Sequence, residues 1–332
     1  MKKLMNAPAD YVDEALDGLT AAYPSLVRAG TAGRVIRRAG GKHKDRVGVA
    51  SGGGFGHLPL FTGYVGTGLL DTCAIGNVFE GPGIASCVDA ITLADGGRGV
   101  LLLYGNYGGD RMNFDMASEM LEEKGIKTAT VLGTDDIASA GPEEMEKRRG
   151  VAGIIYAYKA AGAKAEEGAR LDEVARVAAK AVGATRTLGL ALAPCQVPTA
   201  TKPTFTLGQD EIEMGMGIHG EPGIWRDKLK PADAIADEMV RRLLADRPAE
   251  ADARVSVLVN SLGATPLDEL FILYRRIAAL LKEERLTVVR ALVGPFVTSM
   301  EMAGVSISLC FVDDELEALL SAPANCPFWR VG

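Results

Sequence analysis

Two of the three histidines in this 332-residue chain lie inside glycine-rich stretches, where a ring is held at a turn. His57 ends Ser51-Gly52-Gly53-Gly54-Phe55-Gly56-His57, and His219 sits within Gly215-Met216-Gly217-Ile218-His219-Gly220-Glu221-Pro222-Gly223. A neutral imidazole can hydrogen-bond a substrate or add to an electrophile, depending on which nitrogen carries the hydrogen. Glu221, two residues from His219, is placed to orient that ring and fix its tautomer. The competing readings are a hydrogen-bonded histidine in a tight turn for His57 and a core histidine for His219. Asp110 closes Tyr104-Gly105-Asn106-Tyr107-Gly108-Gly109-Asp110 just before a helical stretch. It reads as a helix N-cap, as a general base for a substrate hydroxyl, or as both.

These groups need a scaffold, and the apolar pattern supplies one. Strand-length apolar runs at 46–51, 98–104, 127–133, 188–193, 253–260, 287–293 and 306–312 alternate with segments of helical period, the pattern of an α/β protein. The His57 loop follows the first run and the Asp110 loop the second, which puts both at carboxyl ends of strands, where open α/β sheets bind ligands. The helix predicted over 112–124 carries Met112, Met116 and Met120 at i, i+4 and i+8, read as a core stripe, with Gly125 behind it as C-cap. Helices are also predicted over 174–184 and 231–245. The expected organisation is two α/β domains, each a mostly parallel or mixed sheet flanked by helices, over 1–186 and 187–332. The second carries the His219 loop within a long glycine-rich segment, 194–230, expected to be functional.

Composition excludes several classes. A net charge of -7, from 36 basic and 43 acidic residues, gives no general attraction to nucleic acid or to an anionic membrane. One basic run, with Arg34, Arg37, Arg38, Lys42, Lys44 and Arg46, reads as a solvated face or an anion contact. The five cysteines are widely spaced, with no C-x-x-C pair, so neither a disulfide framework nor a zinc site is expected. No apolar run approaches a membrane span and no signal-like segment opens the chain; the expected compartment is the cytoplasm. Metal binding by the histidines lacks the three or four ligands it needs. The triple-glycine run has neither G-x-G-x-x-G spacing nor the Gly-Lys-Ser/Thr of a P-loop, so no self-contained ATP site is visible.

Taken in order, Ser51-Gly52-Gly53-Gly54-x-Gly56-His57-x-Pro59 with Gly63-Tyr64-Val65-Gly66, then Asn106-Tyr107-x-Gly109-Asp110-x-Met112-Asn113-Phe114, Arg148-Arg149-Gly150-Val151-Ala152-Gly153 and Gly217-Ile218-His219-Gly220-Glu221-Pro222-Gly223, resemble the substrate-binding K subunit of dihydroxyacetone kinases. The resemblance spans most of the chain. It implies a two-domain α/β subunit, a homodimer, that binds a short-chain ketose and carries no nucleotide. By the same resemblance His219 adds to the substrate ketone as a covalent hemiaminal, His57 and the Gly54 backbone contact the substrate, and Asp110 takes the proton from the hydroxyl that is phosphorylated. ATP or ADP, with Mg, is then held by a separate L subunit, which either exchanges nucleotide or is recharged by a phosphotransferase-system protein.

The sequence departs from the family pattern at three pocket positions. Phe55 stands where the family commonly has serine, Leu58 where it has glutamate and Gly105 where many members have lysine. Losing a hydroxyl, a carboxylate and an ammonium changes how the distal part of a substrate is read. The expectation is therefore dihydroxyacetone or a larger C4–C5 ketose such as erythrulose or apulose. The alternative function is a ketose-binding sensor or co-activator without kinase activity.

Overall fold

The structure, a computed structural model, describes residues 2–41 and 43–332; Lys42 of the basic run lies outside the described residues. The chain divides into two compact units, and they are interleaved in sequence. The first holds Lys2–Gly133, Ile155–Lys180 and Ala318–Gly332, and the second holds Thr134–Ile154 and Ala181–Glu317. The sequence reading placed one seam at 186/187, because hydrophobic periodicity marks elements without marking where the chain returns to an earlier unit.

In the first unit, six strands are β1 (Leu26–Ala29), β2 (Val35–Arg38), β3 (Gly48–Gly53), β4 (Thr72–Ile75), β5 (Val100–Gly105) and β6 (Thr128–Gly133). They lie in the order β1-β2-β4-β3-β5-β6. β4, β3, β5 and β6 are parallel, and β2 and then β1 are added antiparallel beyond β4. The helices are α1 (Tyr11–Ala22), α2 (Ile84–Ala94), α3 (Gly108–Glu122), α4 (Ile154–Glu166) and α5 (Leu171–Gly183). Ala50, Ala74 and Leu102 from the sheet pack with Cys87, Ala90 and Ile91 of α2 and with Phe114, Ala117 and Leu121 of α3.

The α3 packing reverses an expectation. Met112, Met116 and Met120 are 60%, 45% and 47% exposed, and the helix instead buries Phe114, Ala117 and Leu121. Both rows satisfy a 3.6-residue period, on roughly opposite sides of the helix. The flat ring decides between them: Phe114 stacks on Tyr104 of β5 with centroids 4.4 Å apart. The basic run is also absorbed by the fold. Arg34 pairs with Asp13, Arg38 with Asp71 and Glu166, and Arg46 with Asp71, so these guanidiniums are neutralised in place.

The second unit has β7 (Thr185–Ala193), β8 (Glu211–Met214), β9 (Trp225–Lys228), β10 (Arg254–Ser261), β11 (Thr287–Gly294) and β12 (Ala303–Phe311), in the order β11-β10-β12-β7-β8-β9. Only β10 and β11 are parallel, joined through α7 (Leu267–Glu283); the other pairs are antiparallel. Val255, Val257 and Val259 alternate along β10 into one core with Met239 and Leu243 of α6 (Ala232–Ala245) and Leu270 and Ile277 of α7. The glycine-rich segment after β7 contains the β8–β9 hairpin, which extends the sheet and presents His219 on its connection. A short helix α8 (Asp314–Ser321) and the pair β13 (Ala324–Asn325) and β14 (Arg330–Val331) end the chain. No helix among the described residues is long and apolar enough to cross a membrane.

Candidate active site

In the first unit, β3 leads to β4 on one side and β5 to β6 on the other. The carboxyl ends of β3 and β5 thus flank a topological switch point, the place where such a sheet opens a crevice. His57 leaves β3 in a single 3-10 turn, Phe55–His57, and Asp110 follows β5 as the third residue of α3.

The His57 ring is buried between two aromatic rings. Phe79 stacks on it at 5.2 Å and 22°, and Phe61 meets it edge-on at 6.5 Å and 73°. Phe61 reaches that place through strained backbone, φ 65° and ψ -84°, with Thr62 N–H donating to Leu60 O at 3.2 Å. This is a γ-turn in its sparsely populated form, and strain of this sort persists where surroundings over-determine it.

The glycine loop is closed by the segment that follows β4. Phe55 N–H donates to Asn77 O at 2.8 Å and Gly56 N–H to Val78 O at 2.7 Å. Those two amides are committed to the protein itself. Gly54 lies so close to this segment that a Cβ there would stand 2.6 Å from Val78 O, which is why the position takes no side chain. Phe55 is itself buried, and Gly105 is the buried last residue of β5, its carbonyl accepting from Tyr107 N–H at 2.8 Å.

Asp110 is not the N-cap of α3; Tyr107 holds that position. The carboxylate lies in the first turn, where the helix dipole favours negative charge. It packs against Gly81, whose Cβ, if present, would be 2.5 Å from Asp110 Oδ1. Asn113, one turn on, donates to Pro82 O at 2.8 Å and fixes the same segment to α3. Burial pushes the Cys87 thiol up to about 12, the Asp110 charge adding to it, so this cysteine stays a thiol. Residues 77–82 therefore touch both the His57 loop and Asp110. Sequence reasoning passed over them, although Gly76, Gly81, Pro82 and Gly83 cluster after a strand as the other site loops do.

His219 lies in the second unit. Its loop opens with Gly215 at φ 83°, and is closed by Gly217 N–H to Glu221 O at 3.3 Å and Ile224 N–H to Met214 O at 2.7 Å. Ser299 Oγ–H donates to Ile218 O and ties the loop down. Glu221 grips His219 twice: Oε2 accepts from the backbone N–H and Oε1 lies on Nδ1, each at 2.9 Å. Burial raises the Glu221 pKa, but the His219 hydrogen bond and charge, with Arg149, outweigh it and hold the group down at about 2. An ionised carboxylate only accepts, so in the neutral ring Nδ1 carries the hydrogen and Nε2 is the nitrogen that bears the lone pair. A partly exposed imidazole in that tautomer is a nitrogen nucleophile. Among the described residues, no three His, Cys, Asp or Glu side chains converge as a metal site requires.

Comparison with known proteins finds relatives over the whole length of the chain. The family model for the Dak1 domain matches residues 17–328. The L-erythrulose 1-kinase of Mycolicibacterium smegmatis is 44% identical over 336 residues, covering 100% of this chain and 58% of that protein. The dihydroxyacetone-binding subunit of a PTS-dependent dihydroxyacetone kinase of Listeria innocua is 42% identical over 332 residues, covering 100% of both chains. A solved structure of a dihydroxyacetone kinase operon co-activator matches with a TM-score of 0.89 and 34% identity, over 96% of this chain and 98% of that one. The chain thus spans little more than half of one relative and all of another.

Proposed function

Because the chain belongs to the Dak1 domain family, we propose that it is the substrate-binding subunit of a ketose kinase, with His219 capturing the ketone and Asp110 serving as base for phosphoryl transfer. The observation that carries this reading is the Glu221 carboxylate on His219 Nδ1. Addition uses the Nε2 lone pair: a C–N bond forms at the carbonyl carbon, the C=O π pair moves to oxygen, and that oxygen takes up a proton to give the hemiaminal. Positive charge spreads to Nδ1–H as the bond forms, and Glu221 stabilises it. Only a carbonyl compound can be held this way, so a ketose is separated from a polyol of equal size by a bond and not by shape.

Asp110 acts at the next step, taking the proton from the substrate hydroxyl as it attacks the phosphoryl group. A carboxylate in the first turn of a helix has the chemistry that task needs. The phosphoryl group is supplied from nucleotide and Mg carried by a second, L-type subunit; this chain's share of the chemistry is positioning and proton removal. The 42% identity to a whole dihydroxyacetone-binding subunit of a PTS-dependent kinase supports such a division of labour. The proposed donor is freely exchanging nucleotide or a phosphotransferase-system protein, and the proposed working form is a homodimer.

A four-carbon ketose such as erythrulose is the favoured substrate, supported by the 44% identity to an L-erythrulose kinase and by Phe55, Leu58 and Gly105 at the pocket positions. A second reading, a ketose sensor without turnover, is supported by the co-activator of the same fold; Asp110 favours the kinase, since a sensor needs no base. The test is a coupled assay of the chain with a cognate L-type subunit, ATP and Mg against dihydroxyacetone, erythrulose and apulose. Partner-dependent turnover of one sugar supports the kinase. Binding without turnover of any sugar supports the sensor.

A further inference from the structure

Behind Glu221 stands a charged pair that the ketone-capture chemistry leaves without a role. Asp136 is 1% exposed, and its Oδ2 receives both Nε (2.9 Å) and Nη2 (2.8 Å) of Arg149. The same guanidinium donates through Nη2 to Gly215 O at 3.3 Å, in the turn that opens the His219 loop, and its Nη1 stands 4.0 Å from Glu221 Oε2. Asp136 is itself fixed. Its Oδ1 accepts from Ala138 N–H at 3.0 Å, its backbone N–H donates to Arg149 O at 3.1 Å, and Ser139 Oγ bridges Asp136 O (2.8 Å) and Arg149 N–H (2.9 Å). The neighbouring residues clamp this turn to β7, Thr187 N–H donating to Asp135 O at 2.7 Å and Ile137 N–H to Thr187 O at 3.0 Å.

We infer that Asp136 and Arg149 are positioning residues for the Glu221–His219 pair. The inference rests on the reading of His219 as the ketone-capturing group. The distances define what the pair does. At 4.0 Å the Arg149 cation attracts Glu221 without bonding to it, so the carboxylate stays ionised while both its oxygens remain on His219. Asp136 restrains the guanidinium. An Arg149 released from Asp136 would be free to form a two-pronged bond with Glu221, the geometry arginine and carboxylate prefer, and would draw Oε1 off Nδ1. The imidazole would then lose its fixed tautomer, and part of the population would carry hydrogen on Nε2, where it cannot attack.

Asp136 faces the Arg149 cation and lies beside the buried Asp135. Burial, with some repulsion from Asp135, raises its pKa to about 6 against the pull of Arg149. Proton uptake there would loosen Arg149 in the way that Asp136→Asn does.

Two readouts test the inference, one without ketose and one with it. Nitrogen-15 NMR of the histidine-labelled, ketose-free protein should show His219 with hydrogen on Nδ1; in Asp136→Asn, and in Arg149→Lys, whose single ammonium cannot keep both the Asp136 and Gly215 contacts and is freed towards Glu221, the ring should become a tautomer mixture. The rate of erythrulose adduct formation, followed by intact-protein mass spectrometry, should fall at least tenfold in both variants, with adduct mass unchanged. Folded variants that keep the wild-type tautomer and the wild-type adduct rate overturn the positioning role. If Asp136→Asn does not fold, Arg149→Lys carries the test. A wild-type protein that forms no adduct overturns the capture role of His219 instead, and the ketose-free tautomer readout still judges Asp136 and Arg149.

Discussion

The ring of Phe79 lies on the imidazole of His57, centroids 5.2 Å apart and planes 22° from parallel. Phe79 comes from the segment after β4, so two strand-end loops build one wall of the candidate site, and an aromatic platform fixes the plane of the His57 imidazole. Phe79→Ala removes that platform and leaves the His57 backbone in place. An aromatic pair of this kind contributes about 0.5–1.5 kcal/mol beyond its buried area, so KM for the ketose should rise about 2- to 10-fold with kcat changed less. Steady-state kinetics decides; an unchanged KM would mean the stack has no part in substrate binding.

The base role proposed for Asp110 separates capture from transfer. Asp110→Asn keeps size and first-turn position but cannot take up a proton. Phosphoryl transfer should fall about 100-fold or more, while the His219 adduct still forms and is seen in the intact mass. Turnover at the wild-type rate would remove Asp110 from the mechanism.

Gly81 offers a subtler test of the same carboxylate. A methyl group there would stand 2.5 Å from Asp110 Oδ1, too close for either to stay. In Gly81→Ala the carboxylate must move, and a displacement near 1 Å at a reacting group costs about 100-fold in rate. The expected result is a folded protein with reduced kcat and retained ketose adduct. Wild-type kcat would show that Asp110 has room to spare.

Much of this was legible in the sequence, and the losses have physical causes. All seven strand runs became β3, β5, β6, β7, β10, β11 and β12, because buried strands are continuous apolar segments bounded by turns. The four-residue strands β1, β2, β4, β8 and β9 were passed over: Val35-Ile36-Arg37-Arg38 and Trp225-Arg226-Asp227-Lys228 are too short and too charged to stand out. His57, Asp110 and His219 were found because glycine-rich loops frame them. Phe79 and Asp136 were not, and Arg149 stood in a quoted motif with no role attached, since the contacts of all three arise from tertiary packing and buried charge, neither of which local spacing records.

The α3 reversal makes a quantitative contrast. Met112, Met116 and Met120 each expose more than two-fifths of their surface, and Phe114 exposes none. Replacing any of the three methionines by Gln should change stability by no more than about 0.5 kcal/mol. Phe114→Ala, which opens a cavity under Tyr104, should cost about 3–5 kcal/mol. Urea unfolding of the four single variants measures both; a large loss at Met116 would mean that face is covered.

Acid titration separates the two carboxylates around His219 by sign. The folded pKa of Glu221 is held at about 2, below its ordinary 4.5, so its contribution is full above 4.5 and is lost as pH falls through about 2. That depression corresponds to at most about 3 kcal/mol. Asp136 runs the other way: raised from 3.8 to about 6, its contribution is full below 3.8 and is lost as pH rises through about 6. Between pH 4.5 and 6, then, Glu221 adds its whole share while that of Asp136 declines. Urea unfolding of wild type, Glu221→Gln and Asp136→Asn from pH 3 to 7 should show the deficit of Glu221→Gln shrinking towards pH 3. Relative to wild type, Asp136→Asn should gain stability as pH rises from 4 to 6. A Glu221→Gln deficit constant over the whole range would mean that the carboxylate is held by shape and not by charge, and the electrostatic grip on His219 would have to be abandoned.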